Sequence, residues 1–449
     1  MSRAAEPSPH DPEAGITRRR FVTGLGVAAG AAVAAGYGLT VWANGDSSTP
    51  TSSTGAARHP APKLGGRDDR TLVVVELGGG NDGLSTVVPM ADSAYPALRP
   101  TLAVPNAIAL DGSVGLHPNL AKLVTRYQAG QVAIVEGVGY PDPNLSHFAS
   151  LAYWWAGTPG ESGSVGWLGR YLDGTVGFAD PLAAIGIGPV PSPALLGTSS
   201  FATSITDATG LQPSTPAWAE SADDLVKAWS KFTPASPDPA TLLGQVQQAI
   251  HLTVKARAGL TADLASDTAG ATGPSDDLVA APTAGNYRRS ASVADSLRLA
   301  AQLVASKHPP RVIYVNGLGD YDTHQGQAQR HPILMADLDD GIDAFFTTLD
   351  QSQAADRALM MTVSEFGRRP GQNDDGTDHG TAAPHFFIGS GVKGGRYGAP
   401  PSLTALDEHA NLVHTVDFRA MYATAVQGWL GVDAEAILGK GFVPLPLLA

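Results

Sequence analysis

TLVVVELGGGNDG, from Thr71 to Gly83, is a run of β-branched and apolar residues that ends in three glycines and an Asn-Asp pair. A strand written as a continuous apolar run, and not as an alternation, is buried on both faces; parallel sheets covered by helices on each side bury their strands in this way. The run predicts a first strand over Leu72 to Leu77. The glycine-bearing loop behind it falls where open α/β sheets place their ligands, outside the carboxyl ends of the strands.

The same pattern continues outward. NLAKLVTRYQAGQVAIVEGVG, beginning at Asn119, gives a helix, a glycine turn and a second buried strand from Val132 to Gly137. Near the other end, SVADSLRLAAQLVASKHPPRVIYVNGLGDYDTH supplies an amphipathic helix, a proline break and a strand over Arg311 to Val315. ILMADLDDGIDAFFTTLDQ is a further helix, RALMMTVSEFG a further strand, and PHFFIGSG with DFRAMYATAVQGWLGV closes the domain. Helix and strand in alternation predict an α/β domain from residue 67 to 449. Between Phe178 and Ala291 the chain turns to Ala, Ser, Thr, Pro and Asp with helical stretches, which predicts a partly helical insertion. No internal repeat is evident.

Upstream, TRRRFVTGLGVAAGAAVAAGYGLTVWANG carries Arg18, Arg19, Arg20 and Phe21 ahead of a Gly/Ala-rich apolar run. This is the pattern of a twin-arginine signal over residues 1–43, an address read by the export machinery for folded proteins. Val41 and Ala43 are small residues at the spacing of a signal peptidase site; the run is also about long enough to remain as an uncleaved anchor, and otherwise no stable membrane span is expected. Residues 44–66, rich in Ser, Thr, Pro and Ala, read as a disordered linker. Export places the protein outside the cell, in the periplasm or in the cell envelope. There is no cysteine, so stability must come from a large core and not from disulfides. A formal charge of -13 with no basic stripe argues against nucleic acid as a partner.

Four polar stretches lie just after predicted strands. In GGGNDG, Asn81 and Asp82 follow glycines that let backbone approach a ligand, and the acid could hold a cation; a solvated turn explains the pair equally well. The glycine order is not the dinucleotide fingerprint, so NAD binding is not expected. In PDPNLSHF, Asn144 and Ser146 precede a helix that starts near His147. Ser146 is an ordinary N-cap, or a nucleophile whose attack on an anionic ester is helped by the helix N-terminus. GDYDTHQGQAQRH offers Asp320, Asp322, His324 and His331, and on an extended segment Asp322 and His324 can face one cation. SEFGRRPGQNDDGTDHGTAAPHFF brings Glu365, Arg368, Arg369, Asp378, His379 and His385; Asp378 and His379 form a loop ligand pair, and the arginines could clamp an anion. Together these residues could converge on one divalent cation, whether zinc, calcium, magnesium or manganese, and metal-assisted hydrolysis of an anionic ester is the chemistry they suit.

LGGGNDGLSTVVP, YPALRPTLAVP, GLHPNLAKLVTRYQAGQVAIVEGVGYPDPNLSHF, GWLGRYLD, DYDTHQGQ, SEFGRRPG and GTDHGTAAPHFFIGSGVKGG resemble the exported family named domain of unknown function 1501. That family is similar in fold to the alkaline phosphatase and sulfatase superfamily. The resemblance implies an alkaline-phosphatase-like three-layer sandwich with a central, mostly parallel sheet, and it covers most of Thr71 to Leu448. It also implies metal and nucleophile roles for Asp82, Ser146, Asp322, His324 and His379. Where the superfamily carries an Asp-His pair after a late strand, this chain has Glu365 and Phe366, which points to one metal instead of two, or to lost catalysis. Two functions follow as expectations: a metal-dependent hydrolase of phosphate or sulfate esters, and a non-catalytic binding or surface-assembly protein on the same fold. A redox enzyme is the weakest reading, with no cysteine, haem motif or nucleotide fingerprint to support it.

Overall fold

The computed structural model describes residues 66, 69–159, 165–188, 191–206, 221–233, 241–265 and 293–449. The signal expected over 1–43 lies outside these residues, as does the linker expected over 44–66 apart from Gly66. Two units divide the chain: Thr54–Gln212 with Leu252–Ala449, and Met1–Ser53 with Pro213–His251. In the second, the helix Ala222–Phe232 begins at Ser221, whose hydroxyl accepts from the Asp224 N–H at 3.1 Å.

The first unit is built on strands β1 (Thr71–Leu77), β2 (Val87–Val88), β3 (Ile108–Ala109), β4 (Gly115–Leu116), β5 (Val132–Gly139), β6 (Ala184–Ile187), β7 (Thr203–Ile205), β8 (Val312–Leu318), β9 (Ala358–Val363), β10 (Ala383–Ile388), β11 (Gly395–Tyr397) and β12 (Val416–Asp417). Nine of them form one sheet in the order β11-β5-β10-β9-β1-β8-β6-β7, with β12 beside β5; β2, β4 and β3 make a small antiparallel sheet. Every pairing in the large sheet is parallel except those of β10, which runs against both β5 and β9.

The apolar run that begins the domain is β1, and it lies at the sheet's centre. Val73, Val75 and Leu77 pack on one face with Leu123, Leu297 and Leu338 from the helices Ala121–Gln128, Val293–Ala305 and Gln327–Gln351. Leu72 and Val74 pack on the other with Trp154, Tyr171 and Tyr422 from the helices His147–Ala156, Trp167–Thr175 and Phe418–Ala423. Helices on both faces of a mostly parallel sheet make the three-layer α/β sandwich that the resemblance implies. Each fully buried Val or Leu in β1 contributes about 1.5–3 kcal/mol before conformational entropy is counted. The segment 178–291 is more than a helical insertion: β6 and β7 fall inside it and lengthen the sheet. Their four and three residues are too short for periodicity to reveal.

Topology then gathers the loops. The carboxyl ends of β1, β5, β8 and β9 lie at one edge, and because β10 is reversed its start lies there too. Segments 78–82, 140–147, 319–324, 364–368 and 377–382 therefore meet.

Candidate metal centre

Asp322 stands at the middle of this edge. Its Oδ1 receives the Nη2 of Arg368 at 2.6 Å and faces the Nε2 atoms of His379 and His324, each at 3.3 Å. Its Oδ2 faces the Nε2 of His147 at 3.5 Å. Burial pushes the Asp322 carboxyl up, but hydrogen bonds from His147, His379 and Arg368 outweigh it and hold the group well below the usual carboxylate range.

The far nitrogens of two imidazoles fix their tautomers. His379 Nδ1 lies 2.8 Å from the Leu145 carbonyl, which can only accept, so Nδ1 carries the proton. His147 Nδ1 lies 2.8 Å from Glu365 Oε1, which also accepts the Gly79 N–H at 2.8 Å. Each histidine thus turns Nε2 toward a carboxylate. A lone pair opposite a carboxylate repels, so the gap must hold a proton or a cation; with no cation, Asp322 first and Glu365 second raise His147 to about 9. Ligand atoms from His147, Asp322 and His379 all lie within 4.8 Å of one another. Two donors at about 2.1 Å on a tetrahedral ion sit about 3.4 Å apart, close to the 3.3 and 3.5 Å seen between the imidazoles and Asp322. The donor set fits a small divalent cation.

Glycines make this approach possible. Gly79 has φ of 113°, and a Cβ there would fall 2.5 Å from the Asp322 backbone nitrogen. At Gly80, φ 76°, a Cβ would meet the Phe366 ring at 2.3 Å. Arg368 is locked behind them, donating to Gly80 O at 2.7 Å, Thr377 O at 2.9 Å and Gly79 O. Phe366 occupies the position where the resemblance places a histidine; its ring centroid lies 4.5 Å from that of His379 and 4.9 Å from that of His147.

Several expected residues assemble here: Asp322, His379, Glu365 and Arg368 directly, His324 at 3.3 Å from Asp322, and Asp378 through its 3.3 Å contact with His324 Nδ1. Ser146 caps the helix His147–Ala156 and is exposed, and its hydroxyl makes no cap hydrogen bond. Asn144 Oδ1 accepts the Ser146 N–H at 2.9 Å and so shapes that turn.

Three residues lie elsewhere. Asp82, expected as a ligand, is fully buried in an ion pair with Arg99 at 2.7 Å. It also takes the Ser85 N–H at 3.1 Å, the Thr377 hydroxyl at 3.3 Å and the Gln327 amide, so both oxygens are committed to donors. Burial pushes its carboxyl up, yet Arg99 and His331 bring it down to about 2. Asn81 belongs to the same buried network, bonded through Thr86 at 3.0 Å and facing His331 at 3.4 Å. His385 lies within β10, its ring 5.4 Å from Trp154, and burial lowers it to about 3. His147 belongs to this cluster too, although the sequence marks it only as the start of a helix. Its signal was its position directly behind Ser146, in the loop after a buried strand.

Several solved structures are similar over most of their length. One is Ps i-CgsB in complex with k-i-k-neocarrahexaose, at 10% identity and a TM-score of 0.36, covering 83% of this chain and 72% of that one. Another is a protein in the alkaline phosphatase superfamily from Vibrio parahaemolyticus, at 12% identity and 0.37, covering 85% and 71%. A third is the alkaline phosphatase of the Antarctic bacterium TAB5, at 12% identity and 0.28, covering 72% and 92%. No curated protein matches the chain. The family described as a protein of unknown function, DUF1501, matches residues 69–440, and the chain belongs to that family.

Proposed function

We propose that the chain is a metal-dependent hydrolase of phosphate or sulfate esters, in which His147, Asp322 and His379 hold one divalent cation. The observation that carries this reading is the pair of imidazoles whose Nδ1 atoms are committed to Glu365 and Leu145, leaving both Nε2 atoms aimed at Asp322. Two imidazoles and a carboxylate favour zinc over calcium or magnesium and leave a position open for substrate. When bound, the cation would polarise the ester and lower the pKa of a serine or water.

The chain's own residues divide the remaining work. Glu365 and Leu145 orient the two ligand rings, and Arg368 fixes the carboxylate of Asp322. Ser146, exposed at the helix start beside His147, serves as nucleophile in this reading, with helix N-terminal amides to stabilise charge on the attacked group. His324, tethered by Asp378, is the proton carrier for the leaving oxygen. Export through the twin-arginine machinery, motivated by Arg18 to Arg20, delivers the folded protein to the periplasm, cell envelope or exterior. Among the described residues no helix is long and apolar enough to cross a membrane.

A non-catalytic binding or assembly role has two observations in its favour. Arg368 already neutralises Asp322 at 2.6 Å, and Phe366 packs against both ligand imidazoles. Metal content by mass spectrometry, with turnover of 4-nitrophenyl phosphate and 4-nitrocatechol sulfate, separates the two. Stoichiometric metal and turnover, both lost in Asp322→Ala, are expected of the hydrolase; absence of metal from protein purified without chelators would select the binding role.

A further inference from the structure

A second feature lies away from the imidazoles, between the helix Gly83–Thr86, the start of β10 and the loop after β11. It is a cavity of about 530 Å³, within the range of small-molecule sites. Its walls are stiff: Pro89, Pro384, Pro400 and Pro401 line it, together with Leu84 and Leu403. Pro384 is seated against Gly83, where a Cβ would fall 2.3 Å from its ring. Proline-built walls do not have to be ordered when a ligand arrives, so little conformational entropy is lost on binding.

The wall also carries polar groups, and the best connected of them centre on β5 and β11. Glu136 projects from β5 with only 5% exposure, and its Oε1 accepts from Arg396 Nε at 2.5 Å. Arg396 Nη1 in turn reaches Asp111 at 2.9 Å and the Ser113 hydroxyl at 2.8 Å. An ion pair buried on the Glu136 side and half-buried at Arg396 adds little net stability. Here it presents donors and acceptors side by side on a cavity whose other polar lining, Asp92, Ser93, Arg368 and Ser402, again carries both signs of charge. An anionic head would meet Glu136 and Asp92, and a cationic head would meet Arg396 and Arg368. Hydroxyl groups, which both donate and accept, complement the row without a charge penalty.

The geometry points to a binding site for an uncharged amphiphile, with its apolar body between the prolines and a hydroxyl-bearing head against Glu136, Arg396 and Ser113. The cavity shares Arg368 with the cluster around Asp322, but the binding proposed here needs no metal and its test reads binding alone. The test is isothermal titration of the full chain with octyl glucoside below its micelle concentration, alongside octyl sulfate and octyltrimethylammonium as charged analogues. Expected is saturable one-to-one binding of the glucoside, at least about tenfold tighter than either analogue. Ala91→Trp, at the exposed rim of the cavity, and Glu136→Gln should each weaken it about tenfold or more. Absence of saturable binding, unchanged affinity in Ala91→Trp, or preference for a charged analogue would overturn the proposal. Should Glu136→Gln fail to fold, Ala91→Trp decides alone.

Discussion

His147 and Glu365 are joined by a 2.8 Å contact between Nδ1 and Oε1, although 218 residues separate them in the chain. The contact turns the imidazole so that its other nitrogen faces Asp322, and Glu365 is itself held by the Gly79 N–H. A carboxylate behind a ligand histidine fixes its tautomer and raises its basicity. Glu365→Gln keeps an acceptor but removes the charge. Metal affinity should fall about tenfold, toward the lower end of the range for such partners, whereas His379→Ala should remove stoichiometric binding. Competition against a chromophoric chelator measures both, and unchanged affinity in Glu365→Gln would show that the pair does not support a metal.

Asp82 separates two roles that the sequence left joined. Its ion pair with Arg99 is wholly buried, so Asp82→Asn leaves a guanidinium without a counter-charge in the interior. Removing one partner of such a pair costs about 3–5 kcal/mol. The expected outcome is a strongly lowered denaturation midpoint with metal stoichiometry intact in the protein that remains folded. Loss of metal at undiminished stability would return Asp82 to the ligand set.

How much of this was legible before the structure depended on the range of the interaction. β1 could be read because burial on both faces is written into consecutive residues, Leu72 to Val75. Asp322 and His379 could be read because polar residues in loops after buried strands have few structural reasons to be there. The partner of Asp82 could not: Arg99 lies 17 residues away, and nothing in the local pattern tells a buried guanidinium from a solvated one. His147 was hidden for a related reason. It joins the cluster around Asp322 only because β10 runs backwards and brings His379 to the same edge, and strand direction is a property of pairing that no single segment carries.

Gly79 tests whether the loop after β1 is a spacer or part of the site. With φ at 113° and a would-be Cβ 2.5 Å from the Asp322 nitrogen, Gly79→Ala forces backbone against backbone. Strain of this kind costs about 1–3 kcal/mol. It should also displace Asp322, so metal affinity should fall even where the protein stays folded. Gly112→Ala, at a position where nothing lies within 4 Å, is the control and should change neither quantity.

Export is tested on the paired arginines. Replacing Arg18, Arg19 and Arg20 together with Lys keeps the charge and the apolar run but removes the pattern that the machinery reads. Fractionation of cells expressing this variant should find it in the cytoplasm at full length, while the parent chain is found outside. Equal export of both would assign translocation to the apolar segment alone.

Glu76 gives the molecule a pH dependence of its own. It is the one acid within the apolar run of β1, 6% exposed, and its Oε2 accepts from Trp155 Nε1 and the Tyr314 hydroxyl at 2.7 Å each. Burial raises it to about 7, against the opposing pull of those two donors, with the charge of nearby Glu365 adding to the rise. A folded state that holds a proton which the unfolded chain has released loses stability as pH rises through that window, here from about 4.5 to about 7. Glu76→Gln keeps an acceptor for both donors and has no charge to bury. It should therefore be more stable than the parent at pH 8, by about 1–3 kcal/mol, and nearly equal to it at pH 4.5. Urea denaturation at the two pH values reads the difference, and a gap that does not widen with pH would mean that Glu76 is charged in the folded protein at no cost.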